Sequence, residues 1–152
     1  IYLRAVPVPR LNWGCRLLAA LIGFGCLAVL VVAVQLWPNS AGVGTHGQLG
    51  WDACGFLIRT GLPCPSCGMT TSFSWFVRGN LPASLYVQPM GTVLALGAGL
   101  TFWAGLYIAL TGKPAHRLLR AFSGPFWLVA GLFLGVAAWA WKIAIHLRGI
   151  DG

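Results

Sequence analysis

At 152 residues, 58% hydrophobic and only 8% charged, the chain lacks the polar surface that a water-exposed globule of this length needs. Ten basic against two acidic residues give a formal charge of +8, but no soluble module presents a basic stripe interleaved with aromatics, so nucleic acid is not an expected partner. The apolar content also excludes disorder, a coiled coil and a disulfide-stapled secreted scaffold.

In chain order, the first apolar stretch covers residues 17–37, with Gln35 as its one strongly polar side chain. About 20 such residues, at roughly 1.5 Å each, cross a hydrocarbon core of about 30 Å. Residues 90–110 and 125–145 pass the same test. The first run is too long for a signal peptide and no small-x-small site follows Trp37, so it reads as a retained anchor. Lys142 near the end of the third stretch is expected to snorkel to the interface. Trp13, Trp37, Tyr86, Trp103, Tyr107, Trp127, Trp139 and Trp141 flank or tip the spans as an aromatic belt. The chain therefore reads as an all-α integral membrane protein, one membrane domain over residues 1–152 with three transmembrane helices and a short interfacial or re-entrant helix.

Arg4, Arg10 and Arg16 precede the first span, and Lys113, Arg117 and Arg120 lie between the second and third. Arg59, Arg78, Lys142 and Arg148 fall on the opposite side with both acids, Asp52 and Asp151. Retention of basic residues in the cytoplasm predicts the N-terminus inside and the C-terminus outside. Membrane lipid is the expected environment, and anionic lipid the expected partner beside Lys113, Arg117 and Arg120, each basic group there contributing about 1 kcal/mol. Gly131 and Gly135 form a small-x-x-x-small groove on the third span, and Ala95 with Gly99 another on the second. Either groove brings spans together or docks a second membrane chain.

The connection at 38–89 is the one sizeable extramembrane region. Trp51–Thr60 predicts a short amphipathic helix with Trp51, Cys54 and Ile58 on one face, ended by Gly61 and Pro63. Gly68–Arg78 predicts a second helix, too short to span, capped by Gly79 and Asn80. Pro82 suits a first helical turn, and Pro89 stands where it can kink the second span. Thr70, Thr71, Ser72 and Ser74 give the second short helix a hydroxyl-rich start. These hydroxyls serve either a bound group or their own backbone.

Cys15 and Cys26 fall on the first span at a separation that forbids a bridge, and read as small apolar residues. Cys54, Cys64 and Cys67 share the connection, and the C-x-x-C pair has two readings. As a knuckle, Cys64 and Cys67 offer two thiolates to a metal such as zinc, Cys54 a third, and His46 or Asp52 a fourth ligand. As a redox pair, Cys64-Pro65-Ser66-Cys67 leads into a helix whose N-terminal dipole favours the thiolate, although no βαβ scaffold accompanies it. No Ser-His-Asp set, phosphate loop or paired carboxylates accompany these residues, and two acids leave little for carboxylate acid–base catalysis.

The run Thr60-Gly61-Leu62-Pro63-Cys64-Pro65-Ser66-Cys67-Gly68-Met69-Thr70, with Cys54 before it and Arg78-Gly79-Asn80-Leu81 through Gln88-Pro89 after it, resembles the small bacterial membrane proteins grouped as domain of unknown function 2752. The resemblance covers about residues 45–95 and implies a multi-pass protein of the bacterial inner membrane whose activity is not established. Many members carry Arg where Thr71 stands here, so a basic group beside the thiols would have to come from Arg78. The favoured reading is a non-enzymatic accessory or scaffold component in which Cys54, Cys64, Cys67 and His46 bind a metal or otherwise fix the connection. The alternative is a membrane thiol-disulfide oxidoreductase using Cys64 and Cys67, and a third is a partner subunit whose cysteines only pack.

Overall fold

A computed structural model of the chain describes residues 10–114 and 124–149. Every regular element among them is helical: α1 (Trp13–Gln35), a 3-10 turn (Thr45–Leu49), α2 (Gly55–Thr60), α3 (Met69–Val77), α4 (Leu81–Val87), α5 (Pro89–Thr111) and α6 (Pro125–Leu147). α1, α5 and α6 are each long and apolar enough to cross a membrane. Their large side chains point outward, with Leu128, Leu132 and Phe133 on α6 more than 70% exposed, as expected of faces that meet lipid.

α1 and α5 form the closest helix pair and run antiparallel. Their contact is built from glycine: a Cβ on Gly105 would lie 2.5 Å from the Ala19 carbonyl oxygen, and one on Gly23 would lie 3.3 Å from that of Phe102. Such small residues let helix backbones approach where no hydrophobic drive separates lipid from protein. The glycines expected to do this do not. Gly99, Gly131 and Gly135 have open space around their Cβ positions, while Ala95 is fully buried.

An arginine closes one end of each helix in this pair. Arg16 donates from Nε (2.9 Å) and Nη2 to the Ala109 carbonyl and reaches that of Leu110. At the opposite end, Arg78 donates to the carbonyls of Ala33 (3.4 Å) and Val34 (3.0 Å). Each satisfies orphan carbonyls at a helix C-terminus and lies over a tryptophan, Arg16 over Trp13 and Arg78 over Trp37. Arg78 is thus occupied in holding α3 to the end of α1, and it does not act as the basic group expected beside the thiols.

Between α3 and α5 the chain turns at Gly79–Asn80 and again at Gln88. Asn80 caps α4 by accepting from the Ala83 amide at 3.1 Å, with Pro82 in the first turn. Pro89 is the first residue of α5, a position that needs no amide donor, so it starts the span and does not kink it. α2 begins only at Gly55. Trp51 and Cys54 precede it, and the amphipathic face expected from Trp51 onward is absent.

Hydroxyls join α3, α4 and α5. Ser72 Oγ meets Ser84 Oγ (2.9 Å), Thr92 Oγ1 (3.2 Å) and the Gln88 carbonyl (3.0 Å), while Ser84 Oγ donates to the Ser72 carbonyl (2.9 Å). Thr71 Oγ1 pairs with Thr45 Oγ1 at 2.7 Å. These bonds run between elements, a role for Thr71 and Ser72 different from both the bound group and the own-backbone bonding expected of them. Gly91 admits the Ser72 side chain, since a Cβ there would lie 2.8 Å from it.

Of the basic cluster expected at anionic lipid, Lys113 follows α5 and its amide meets Thr111 Oγ1 at 3.2 Å. Arg117 and Arg120 lie outside the described residues.

Gly105→Val is expected to destabilise the chain by about 1–3 kcal/mol through overpacking against α1, whereas Gly97→Val, with nothing within 4 Å of its Cβ position, leaves stability unchanged. Unfolding in mixed detergent micelles measures both, and equal loss in the two variants would remove the glycine contact as the cause.

Candidate metal and thiol centre

The connection folds back beside the end of α1 and brings three cysteines together. The sulfurs of Cys54, Cys64 and Cys67 all lie within 4.8 Å of one another, with Cys64 Sγ and Cys67 Sγ 2.9 Å apart. Cys64 and Cys67 meet because their segment is a turn: the Cys67 amide bonds the Cys64 carbonyl at 3.0 Å, and that of Met69 bonds Ser66 at 3.1 Å. Cys54 reaches them from the start of α2, where it is the capping residue. Cys15 and Cys26 remain on α1.

Gly68 makes the turn possible. Its φ of +86° is left-handed, and a Cβ there would fall 2.7 Å from the Gly42 carbonyl oxygen and 3.3 Å from Lys142 Cε. Both backbone hand and space therefore require glycine after Cys67.

The loop is irregular backbone beside apolar helices, and such carbonyls need partners. Side chains from distant elements supply them. Trp139 Nε1 donates to the Pro63 carbonyl (2.9 Å) and Gln88 Nε2 to that of Pro65 (2.8 Å). His146 Nε2 meets the Gly61 carbonyl at 3.2 Å, and Lys142 Nζ donates to Gly42 at 3.2 Å. Lys142 is fully buried. The expected snorkelling is replaced by an inward course, in which the stem packs near Gly68 and Nζ meets the Gly42 carbonyl.

Sequence reasoning missed Gln88, Trp139 and Lys142 as supports of the cysteine loop. Gln88 stood in the motif that carries the family resemblance, and a strongly polar residue directly before a proline-started span was the available signal. Lys142, a charge in the last turns of an apolar helix, was another.

The thiols differ. Cys54 is held down to about 7, chiefly by the backbone amide of Leu57 in the first turn of α2 and against the effect of burial, with smaller help from the Cys64 and Cys67 thiols. Burial pushes Cys67 up to about 12, and the neighbouring Cys64 thiol adds to the rise. Of Cys54 and Cys67, Cys54 is therefore the one whose thiolate is populated near neutrality in the metal-free protein.

His46, the expected fourth ligand, is not in the sulfur cluster. Its Nε2 meets the Asp52 carbonyl at 3.1 Å. It lines a cavity of about 900 Å³ shared with all three cysteines. One wall of that cavity is Ala28, Val29, Val32, Ala33 and Leu36 of α1, and the other includes Trp51, Met69, Thr70 and Phe73. The α1 wall spans roughly 12 Å along the helix, so the thiols lie beside the last turns of a membrane-length helix.

Residues 54–102, just under a third of the chain, match the model of a family described as "Protein of unknown function (DUF2752)". The matched segment starts at Cys54 and ends inside α5. No curated protein and no solved structure matches the chain.

Alkylation followed by peptide mapping is expected to label Cys54 before Cys67. Its rate should rise through about pH 7 and level off above it as the thiolate becomes fully populated, while Cys67 stays protonated and slow across the same range. Faster labelling of Cys67 than of Cys54 at neutral pH would contradict this ordering.

Proposed function

We propose that a chain whose residues 54–102 carry the DUF2752 segment is a multi-pass component of the bacterial inner membrane, N-terminus inside, that holds a soft metal ion at Cys54, Cys64 and Cys67 on the non-cytoplasmic edge. Its role is that of an accessory or scaffold protein, in which the ion fixes a connection too small to bury a core of its own. The basic residues around the three spans support the orientation, six of them on the N-terminal side against four on the other.

The observation that carries the reading is the convergence of three sulfurs within 4.8 Å from two separate turns. Tetrahedral thiolate–zinc bonds of about 2.3 Å put sulfurs roughly 3.8 Å apart, so an ion is accommodated by moving Cys64 and Cys67 apart by about 1 Å. A bound cation also reverses the effect of burial on Cys67, because a coordinating thiol is deprotonated outright. His46 stands on the wall of the same cavity and completes the ligand set by releasing Asp52. Zinc suits this donor set, and so does iron.

A second reading, a dithiol–disulfide pair of Cys64 and Cys67, is favoured by their 2.9 Å separation, which a two-electron oxidation closes with little movement. Gly131 and Gly135, open toward a smaller cavity that also touches Pro65 and Trp139, offer a docking groove for a second membrane chain in either reading.

Elemental analysis of protein purified without chelator is expected to find stoichiometric zinc or iron that Cys67→Ser and Cys54→Ser both lose and Cys15→Ser keeps. Metal-free protein with folding intact, or metal retained in Cys67→Ser, would overturn the metal reading.

A further inference from the structure

The cavity in front of the cysteines is unlike the other surfaces of the connection. It has a volume of about 900 Å³, near the upper end of the range that holds small organic ligands. Its long wall is aliphatic and belongs to a membrane-length helix, with Val29 and Val32 about half exposed, so a ligand dissolved in lipid reaches it without crossing water. Its polar lining is the three clustered sulfurs, Ser66 at 3.3 Å from Cys64 Sγ, Thr70 and His46. Trp51 and Phe73 add aromatic surface there. An aliphatic slot ending in thiols, hydrogen-bonding groups and aromatic faces fits a molecule with an apolar tail and a flat carbonyl-bearing ring.

We propose that this cavity binds a membrane-dissolved quinone, with its tail along Ala28, Val32 and Leu36 and its ring against Cys64 and Cys67, and that the quinone is the two-electron oxidant of that thiol pair. Cys64 and Cys67 form a sulfur–sulfur bond and give up two electrons and two protons. The quinone accepts both and leaves as the quinol, so atoms and charge balance without a further reactant. Ring carbonyls face Thr70 and His46, two of the groups on the wall able to hydrogen-bond them. The aromatic side chains cover the ring faces.

This inference rests on the dithiol reading and concerns the metal-free thiols, so it is measured apart from metal content. The full chain, stripped of metal, reduced and held in lipid nanodiscs under argon, is mixed with a fully ring-substituted benzoquinone bearing a ten-carbon tail. Loss of quinone absorbance, free thiols and disulfide mapping are followed together. Two thiols are expected to disappear per quinone reduced, with Cys64 joined to Cys67. Compared at equal concentration in the bilayer, the tailed quinone should react at least about tenfold faster than its tail-less analogue, because the seated tail holds the ring beside the sulfurs.

Val32→Trp, which fills the slot from its lipid side, should abolish the tail preference while leaving alkylation of the thiols by a small water-soluble reagent unchanged. Equal rates with and without the tail, a preference that survives Val32→Trp, or tailed quinone that binds without oxidising Cys64 and Cys67 would each overturn the proposal. Absence of metal in the untreated protein overturns the metal reading alone, and quinone inertness overturns this one alone.

Discussion

Irregular backbone pressed against membrane-length helices must find partners for its carbonyl groups, and the architecture of this chain follows from how it does so. Four carbonyls of the connection, those of Gly42, Gly61, Pro63 and Pro65, receive Lys142, His146, Trp139 and Gln88. Three of these four side chains come from the final turns of α6. Without them the connection would leave acceptors unpaired beside apolar helices, a cost that grows with burial and is greatest at Gly42, where the bond is buried.

The same constraint explains why the interior is made chiefly of small and hydroxyl-bearing residues, with Leu36, Val87 and Ile145 as its few large aliphatic ones. Buried positions include Gly23, Ala33, Ala95, Gly105 and Ala138, together with Thr45, Thr71, Ser72, Ser74 and Ser84. Lipid tails reward large apolar side chains as well as a protein core does, so Leu, Val and Phe gain little by turning inward. Close backbone approach and short hydroxyl bonds bring the helices together instead, and arginine at each end of the α1–α5 pair closes carbonyls that the helices leave open.

The three spans were legible because hydropathy over about 20 residues is a local property, and their observed ends differ from expectation by four residues or fewer. The meeting of Cys64 with Cys67 was legible from a three-residue spacing, and that of Cys54 from its place in the same short connection. The short helix at Met69–Val77 was readable from the glycines on either side. What escaped the sequence depends on pairs far apart in the chain. Trp139 and Pro63 are 76 residues apart, and Lys142 and Gly42 are 100 apart. A lysine near a helix end looks the same in sequence whether it turns out to solvent or inward. The choice of Gly23 and Gly105 over Gly131 and Gly135 likewise follows from which spans face each other, information that no single glycine spacing holds.

α6 touches the connection through its last turns, while Leu128, Leu132 and Phe133 in its first half face outward. This has an effect on the order in which the molecule comes into being. During synthesis the cysteine turn leaves the ribosome some seventy residues before Trp139 and Lys142, so its sulfurs emerge while their supports are still being translated. The centre therefore matures after insertion of the last span, and any ion or oxidant encountered earlier meets an unbraced loop.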